Sequence, residues 1–232
     1  MNSKLNIIVA WGIRVILILA AVMGIFLHIH TGDINWMNLF VIGLTFLLTF
    51  LPNVLARTWR INLSENLQII IIIFVFAANY LGELHSFYYK FSWWDDMLHF
   101  MSGIVLGMVG FLLVDTLNRF QLKKMTFELS PFFVAAFAFT FAVAAGAVWE
   151  IFEYSMDCFF GMNMQKYMID PMAAVEKGFG VTWQGPGLED TMHDIILDTG
   201  AALVTAIFGY FKLKTEKVRI KELKEREENE DE

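Results

Sequence analysis

Long apolar runs separated by short polar connections dominate this chain of 232 residues. A helix rises 1.5 Å per residue, so about 20 apolar residues are enough to cross the hydrocarbon core of a bilayer. The pattern therefore predicts an all-α fold, a polytopic transmembrane helical bundle with about six membrane helices. The predicted segments are Ile7–His28, Trp36–Leu55, Leu67–Leu84, Asp95–Leu117, Phe132–Phe152 and Ile195–Tyr210.

The composition agrees with a membrane protein. Hydrophobic residues make up 57% of the chain, and the mean hydropathy is +0.54, which is too apolar for an ordinary soluble domain of this length. We expect one transmembrane helical domain over residues 1–211, followed by a charged cytoplasmic tail over residues 212–232 that extends the sixth helix.

Basic residues are concentrated in alternate connections, although the formal net charge is −7. Lys and Arg accumulate on the cytoplasmic side of bacterial membrane proteins. The pattern therefore predicts a multi-pass protein of the bacterial cytoplasmic (inner) membrane, with both termini in the cytoplasm. The basic positions are Lys4, Arg57, Arg60, Arg119, Lys123, Lys124 and the tail from Lys212 to Arg226.

Acidic and histidine side chains occur at the ends of three of the apolar segments. The groups are Asp95, Asp96 and His99; Glu150, Glu153 and Asp157; and Asp190, His193, Asp194 and Asp198. With alternating crossings, all three groups fall near the outer face, and their spacing of three or four residues lets each group share one helix face. Ionisable residues beside membrane spans indicate a functional site. We therefore expect a single polar centre.

Carboxylates gathered at low dielectric repel one another, so they are either protonated or neutralised by a cation. Oxygen ligands with one or two imidazoles suit Zn, Mn, Fe or Mg rather than copper. The sequence thus predicts a divalent metal ion bound by His99, Glu150, Glu153, Asp190 and Asp194. Two other interpretations stay open: polar residues that join helices by hydrogen bonds, and acids that are merely solvated in an aqueous vestibule.

Several strings in the second half of the chain resemble a known family. They are Trp94-Asp95-Asp96-Met97-Leu98-His99-Phe100 with Gly103, Trp149-Glu150-Ile151-Phe152-Glu153-Tyr154, Gln184-Gly185, and Asp190-Thr191-Met192-His193-Asp194 with Gly200-Ala201. They resemble the YjdF-like family of uncharacterised bacterial polytopic membrane proteins and, more distantly, VanZ-like proteins linked to teicoplanin resistance. The resemblance implies a shared polar site at Asp95, His99, Glu150, Glu153, Asp190 and Asp194, but no reaction.

Three functions fit this pattern. The first is a metal-dependent membrane hydrolase or transferase acting on a membrane lipid or lipid-linked envelope substrate, with His193 as general base and Asp95 orienting His99. The second is a divalent cation or proton transporter, although transporter sites usually lie near the membrane midplane. The third is a non-catalytic protein that binds a lipid or an antibiotic of the cell envelope.

The remaining features change the picture little. No basic face with interleaved aromatic residues indicates nucleic-acid binding. Arg14, inside the first segment, is expected to reach the membrane surface with its long side chain or to have a structural pairing. The connection over residues 159–189 is long enough for a lid over the site.

Overall fold

All regular elements among the described residues are helices in the computed structural model, which describes residues 3–32, 35–58, 61, 63–120, 129–166 and 185–230. The helices are α1 (Ser3–Thr31), α2 (Trp36–Leu48), α3 (Leu51–Thr58), α4 (Glu65–Val75), α5 (Phe87–Lys90), α6 (Trp94–Phe120), α7 (Pro131–Phe160) and α8 (Pro186–Glu230). A π-helical segment, Phe76–Leu84, continues α4.

Six helical stretches in this part of the chain are long and apolar enough to cross a membrane. This confirms the predicted all-helical class and the six segments. The stretches are Lys4–His30, Trp36–Thr58, Glu65–Leu84, Trp94–Asn118, Pro131–Phe160 and Pro186–Ile220. Large apolar side chains such as Leu19, Phe40 and Phe132 are exposed on these helices, as expected where lipid replaces water. The predicted orientation, with both termini in the cytoplasm, stays a prediction.

The chain forms two compact units, Met1–Met101 and Ser102–Glu232. The boundary falls inside α6, after its first two turns. In the first unit, α1, α2 and α4 pack around a core of Ile13, Leu17, Ile42, Ile69 and Ile72. The cap of α4 follows from the sequence, because Ser64 precedes the helix and its hydroxyl accepts a hydrogen bond from the N–H of Leu67.

The second unit contains the remainder of α6 together with α7 and α8. Ser130 caps the start of α7, and Pro131 occupies its first turn, where the missing N–H has no cost. Gly161 ends α7 in the left-handed conformation, with φ 63°. α8 runs without interruption for 45 residues, so the predicted extension of the sixth helix through the tail is confirmed as far as Glu230.

Candidate functional site

The buried face of α7 changes from small residues to acids along its length. Residues three or four positions apart form one stripe, since that spacing returns to the same side of a helix. The stripe consists of Ala135, Ala138, Ala142, Gly146, Glu150, Glu153 and Asp157. The small half lets neighbouring helices approach closely, and the acidic half places carboxylates on the same packed face.

α8 carries a matching stripe in the opposite order. Its acids come first, at Asp194 and Asp198, and its small residues follow. These buried small residues are Ala201, Ala202 and Ala206. Each of the two helices therefore has an acidic end and a small-residue part on a single buried face.

Contacts at glycines define how the helices of the second unit run. A Cβ added to Gly103 would meet Ala201 Cβ at 2.9 Å, and one added to Gly107 would meet Thr205 Cγ2 at 2.9 Å. Residue numbers rise together in these contacts, so α6 and α8 are parallel. A Cβ on Gly110 would lie 2.7 Å from Ala138 Cα, and one on Gly146 would lie 2.7 Å from Asp198 Oδ2.

Gly110, late in α6, contacts Ala138, which is early in α7, whereas Gly146, further along α7, contacts Asp198, which is early in the membrane part of α8. α7 therefore runs antiparallel to α6 and α8. Glu150 lies four residues beyond Gly146, and Asp194 lies four residues before Asp198. Each step is about 6 Å along its helix and returns to the same face. Glu150 and Asp194 therefore lie at the same level on the packed faces of α7 and α8.

These carboxylates are almost completely buried. Glu150 is 2% exposed, Asp194 is 3% exposed and Asp198 is 3% exposed, while Glu153 is also buried. Asp190, one turn before Asp194, is half-buried, and His193 is exposed. Four of these acids are therefore buried, whereas Asp190 and the imidazole of His193 are more exposed.

Asp198 has a contact that sequence reasoning missed. The hydroxyl of Ser102 on α6 donates a hydrogen bond to Asp198 Oδ1, and the other oxygen of this carboxylate faces Gly146. A single serine in an apolar helix gives no signal of this contact in the sequence alone. Asp198 therefore joins all three helices of the unit.

Asp157 also has a structural role that its spacing did not indicate. Its carboxylate accepts hydrogen bonds from the backbone N–H groups of Met164 at 2.6 Å and Gln165 at 3.0 Å. The side-chain amide of Gln165 then donates to Gly187 O at 3.2 Å and to Thr191 Oγ1 at 2.8 Å. This chain of contacts ties the end of α7 to the start of α8.

Asp95 and His99 belong to the first unit, in the first two turns of α6. His99 is buried and Asp95 is half-buried, and His99 Nε2 lies 3.8 Å from Asp95 Oδ1. A carboxylate at this position can orient an imidazole. His99 lies one helical turn before Gly103 on the same helix, so both share one face of α6.

The buried acids of α7 and α8 are oxygen donors, and side chains of this type hold metal ions in the cores of helix bundles. The small residues, which precede the acids on α7 and follow them on α8, keep the helices close. The expected lid over residues 159–189 includes residues 167–184, which lie outside the described residues.

Comparison with known proteins gives a family without an assigned reaction. An uncharacterised protein of Thermotoga maritima is 25% identical over 200 residues, which cover 86% of this chain and 88% of that protein. No solved structure matches the chain. Residues 12–215 match the family described as "Predicted membrane protein (DUF2238)". The chain therefore belongs to this family of predicted membrane proteins.

Proposed function

We propose that this integral membrane protein binds a divalent metal ion and is a metal-dependent hydrolase or transferase for a lipid or lipid-linked envelope substrate. The observation that carries the proposal is the burial of Glu150 and Asp194 at one level of two packed helices. A buried carboxylate is costly unless its charge is compensated, and a cation shared by several carboxylates compensates them together.

The proposed ligands are Glu150, Glu153, Asp190 and Asp194 from the second unit, with His99 as the imidazole ligand. The assignment of His99 rests on the sequence, in which Asp95 and His99 are four residues apart and the family resemblance includes both. This donor set fits Zn, Mn, Fe or Mg, which accept oxygen with some nitrogen. Asp95 is proposed to orient His99.

A metal ion held in this way would lower the pKa of a bound water and polarise a phosphoryl or acyl oxygen. His193 is exposed one residue before Asp194, which is a suitable position for a general base that accepts a proton from the attacking group. A site at the end of a membrane bundle favours a substrate that is itself held in the bilayer. The resemblance to YjdF-like and VanZ-like proteins agrees with an envelope role in the bacterial cytoplasmic membrane.

The first test measures metal in the purified, detergent-solubilised protein by elemental analysis after dialysis against Zn²⁺ or Mn²⁺. We expect about one or two equivalents of metal in the wild type and a loss of most of it in Glu150→Gln and Asp194→Asn. The matched control is Glu216→Gln, because Glu216 is an exposed acid of α8 far from the stripe. Folded wild-type protein that binds neither ion at micromolar concentration would overturn the proposal.

The second test distinguishes an enzyme from a transporter. The metal-loaded protein is reconstituted into vesicles that contain bacterial phospholipids and a polyprenyl diphosphate, and lipid products are followed by mass spectrometry. Turnover that His193→Ala abolishes while the metal stays bound supports the enzyme. Flux of Mn²⁺ or protons across the vesicle membrane, without any lipid product, would assign the same residues to transport instead.

A further inference from the structure

A second polar site lies in the first unit, where residues of α1, α3 and α4 line a half-open cavity of about 330 Å³. Its polar lining consists of Asn6, Arg14, Asn53, Glu65 and Gln68, and Ile7 and Trp11 are among its apolar walls. A volume of this size is in the range of pockets for small ligands. None of these residues belongs to the acidic groups discussed above.

Arg14 is the charged group at the inner end of this cavity. It is 5% exposed, so the expectation that its side chain reaches the membrane surface is wrong. The guanidinium donates from Nε to Thr49 Oγ1 at 3.1 Å and from Nη2 to Thr49 O at 3.0 Å, and it lies 4.1 Å from the ring centroid of Phe50.

Thr49 and Phe50, which contact the guanidinium of Arg14, are neutral. A guanidinium has five N–H donors, and its charge is not compensated by a carboxylate within hydrogen-bonding distance among the described residues. A nearly buried cation beside a cavity in an apolar helix bundle favours an anionic group as occupant.

Asn6 provides an acceptor at the other end of the cavity. Its side chain is 6% exposed, and its Nδ2 donates to Asn66 Oδ1 at 3.1 Å. Within the part of the chain that the structure describes, Asn6 Oδ1 is buried and has no hydrogen-bond partner. A buried acceptor without a donor costs about 1–3 kcal/mol, which a ligand N–H would recover.

Glu65 lies beside Asn66 in the first turn of α4, and its side chain is exposed. The contact between Asn6 and Asn66 therefore brings the carboxylate of Glu65 to the level of Asn6. Arg14 lies eight residues further along α1, about 12 Å deeper. The cavity consequently offers a cation at depth and two acceptors nearer its mouth.

We propose that this cavity binds the headgroup of an ethanolamine phospholipid. The phosphate accepts hydrogen bonds from Arg14, and the ammonium donates to Asn6 Oδ1 and to the carboxylate of Glu65. This order matches the lipid, in which the phosphate lies closer to the bilayer centre than the amine.

Other headgroups match the cavity less well. A choline headgroup has no N–H group to donate to Asn6 Oδ1. A glycerol headgroup has no ammonium group to form an ion pair with Glu65. A simple phosphate would leave both acceptors unfilled. Among the ethanolamine, choline and glycerol headgroups, ethanolamine is the one that uses all three polar positions.

Native mass spectrometry of the delipidated full chain in detergent tests this proposal. Dioleoyl lipids with ethanolamine, choline or glycerol headgroups are titrated separately, and we expect the ethanolamine lipid to bind about tenfold more tightly than the others, as one charge-assisted hydrogen bond would provide. Equal binding of all three lipids would overturn the assignment. Competition by free phosphoethanolamine at the same concentration would assign the cavity to a soluble ligand and also overturn it.

Two variants test the contact to the phosphate and the contact to the ammonium group separately. Arg14→Gln should weaken the binding of all phosphate-bearing lipids, whereas Glu65→Gln should remove only the preference for ethanolamine. Arg57→Gln is the matched control, because Arg57 is exposed on α3 and does not line the cavity. If Arg14→Gln fails to fold, Ala10→Phe fills the cavity without changing Arg14; full lipid binding by Ala10→Phe would contradict the proposal.

Discussion

Gly146 of α7 faces the carboxylate of Asp198 on α8, so closely that a Cβ on the glycine would lie 2.7 Å from Asp198 Oδ2. Real Cβ atoms do not approach an oxygen to this distance without displacement of a neighbour. The absence of a side chain at Gly146 is therefore what allows a buried acid to lie between two packed membrane helices.

Gly146→Ala should destabilise the protein by about 1–3 kcal/mol, since the added methyl group must displace Asp198 or separate the helices. The measurement is the thermal unfolding midpoint in detergent. Gly200→Ala is the matched control, because a Cβ at Gly200 meets nothing within 4 Å and alanine favours a helix by up to about 1 kcal/mol. An unchanged midpoint for Gly146→Ala would mean that the two helices are not packed as described.

Ser102→Ala removes the hydroxyl that donates to Asp198. Leaving a buried acceptor without its hydrogen bond costs about 1–3 kcal/mol, so we expect a loss of stability in this range. Ser155→Ala serves as the comparison: that hydroxyl bonds to Ile151 O of its own helix at 2.6 Å and is exposed, so its loss should change the unfolding midpoint little. Equal effects of the two substitutions would argue against a special role for Ser102.

Asp157→Ala tests whether Asp157 has a structural role only, as opposed to the role of metal ligand proposed for Glu150 and Asp194. The substitution removes the acceptor for the N–H groups of Met164 and Gln165. Hydrogen exchange at these two amides should then become faster, while the metal content stays at the wild-type level. Loss of metal from this variant would show that Asp157 is a ligand as well.

Asp95→Asn tests the proposed orientation of His99, which lies 3.8 Å from the Asp95 carboxylate. Partners of metal ligands typically change metal affinity by about 10–100-fold, and we expect a decrease of this size in a competition titration with a chelator. Asp115→Asn, at the far end of α6, is the control and should bind metal as the wild type does. His99→Ala should show a larger loss than Asp95→Asn.

Sequence periodicity was sufficient to predict the helices but not their ends. α7 was expected to end at Phe152 and continues to Phe160, and α8 was expected to begin at Ile195 but begins at Pro186. The apolar run of α7 stops before its last acids, and that of α8 starts after its first ones, so hydropathy alone places these acids outside the helices. In the structure the acids are helical, and most of them lie on the buried face. The break between α2 and α3 coincides with Pro52 in the first turn of α3, whereas the π-helical segment after Val75 has no signal in the sequence pattern.

The candidate residues could be named from spacing, because acids at intervals of three and four residues share a helix face. Their separate roles could not. Asp157 and Asp198 have the same spacing pattern as Glu150 and Asp194, but their hydrogen bonds come from Gln165 and Ser102. The cavity beside Arg14 was also missed, since its lining comes from three helices that are distant in sequence.

The unbroken length of α8 has a mechanical consequence. Its 45 residues extend about 67 Å, whereas the hydrocarbon core of a bilayer is about 30 Å thick. A tilt of about 10° at Asp198, whether from a cation or a substrate, would move the far end of the helix by several ångströms. A spin label at Leu223 would therefore report, from outside the bilayer, on events at the buried acids.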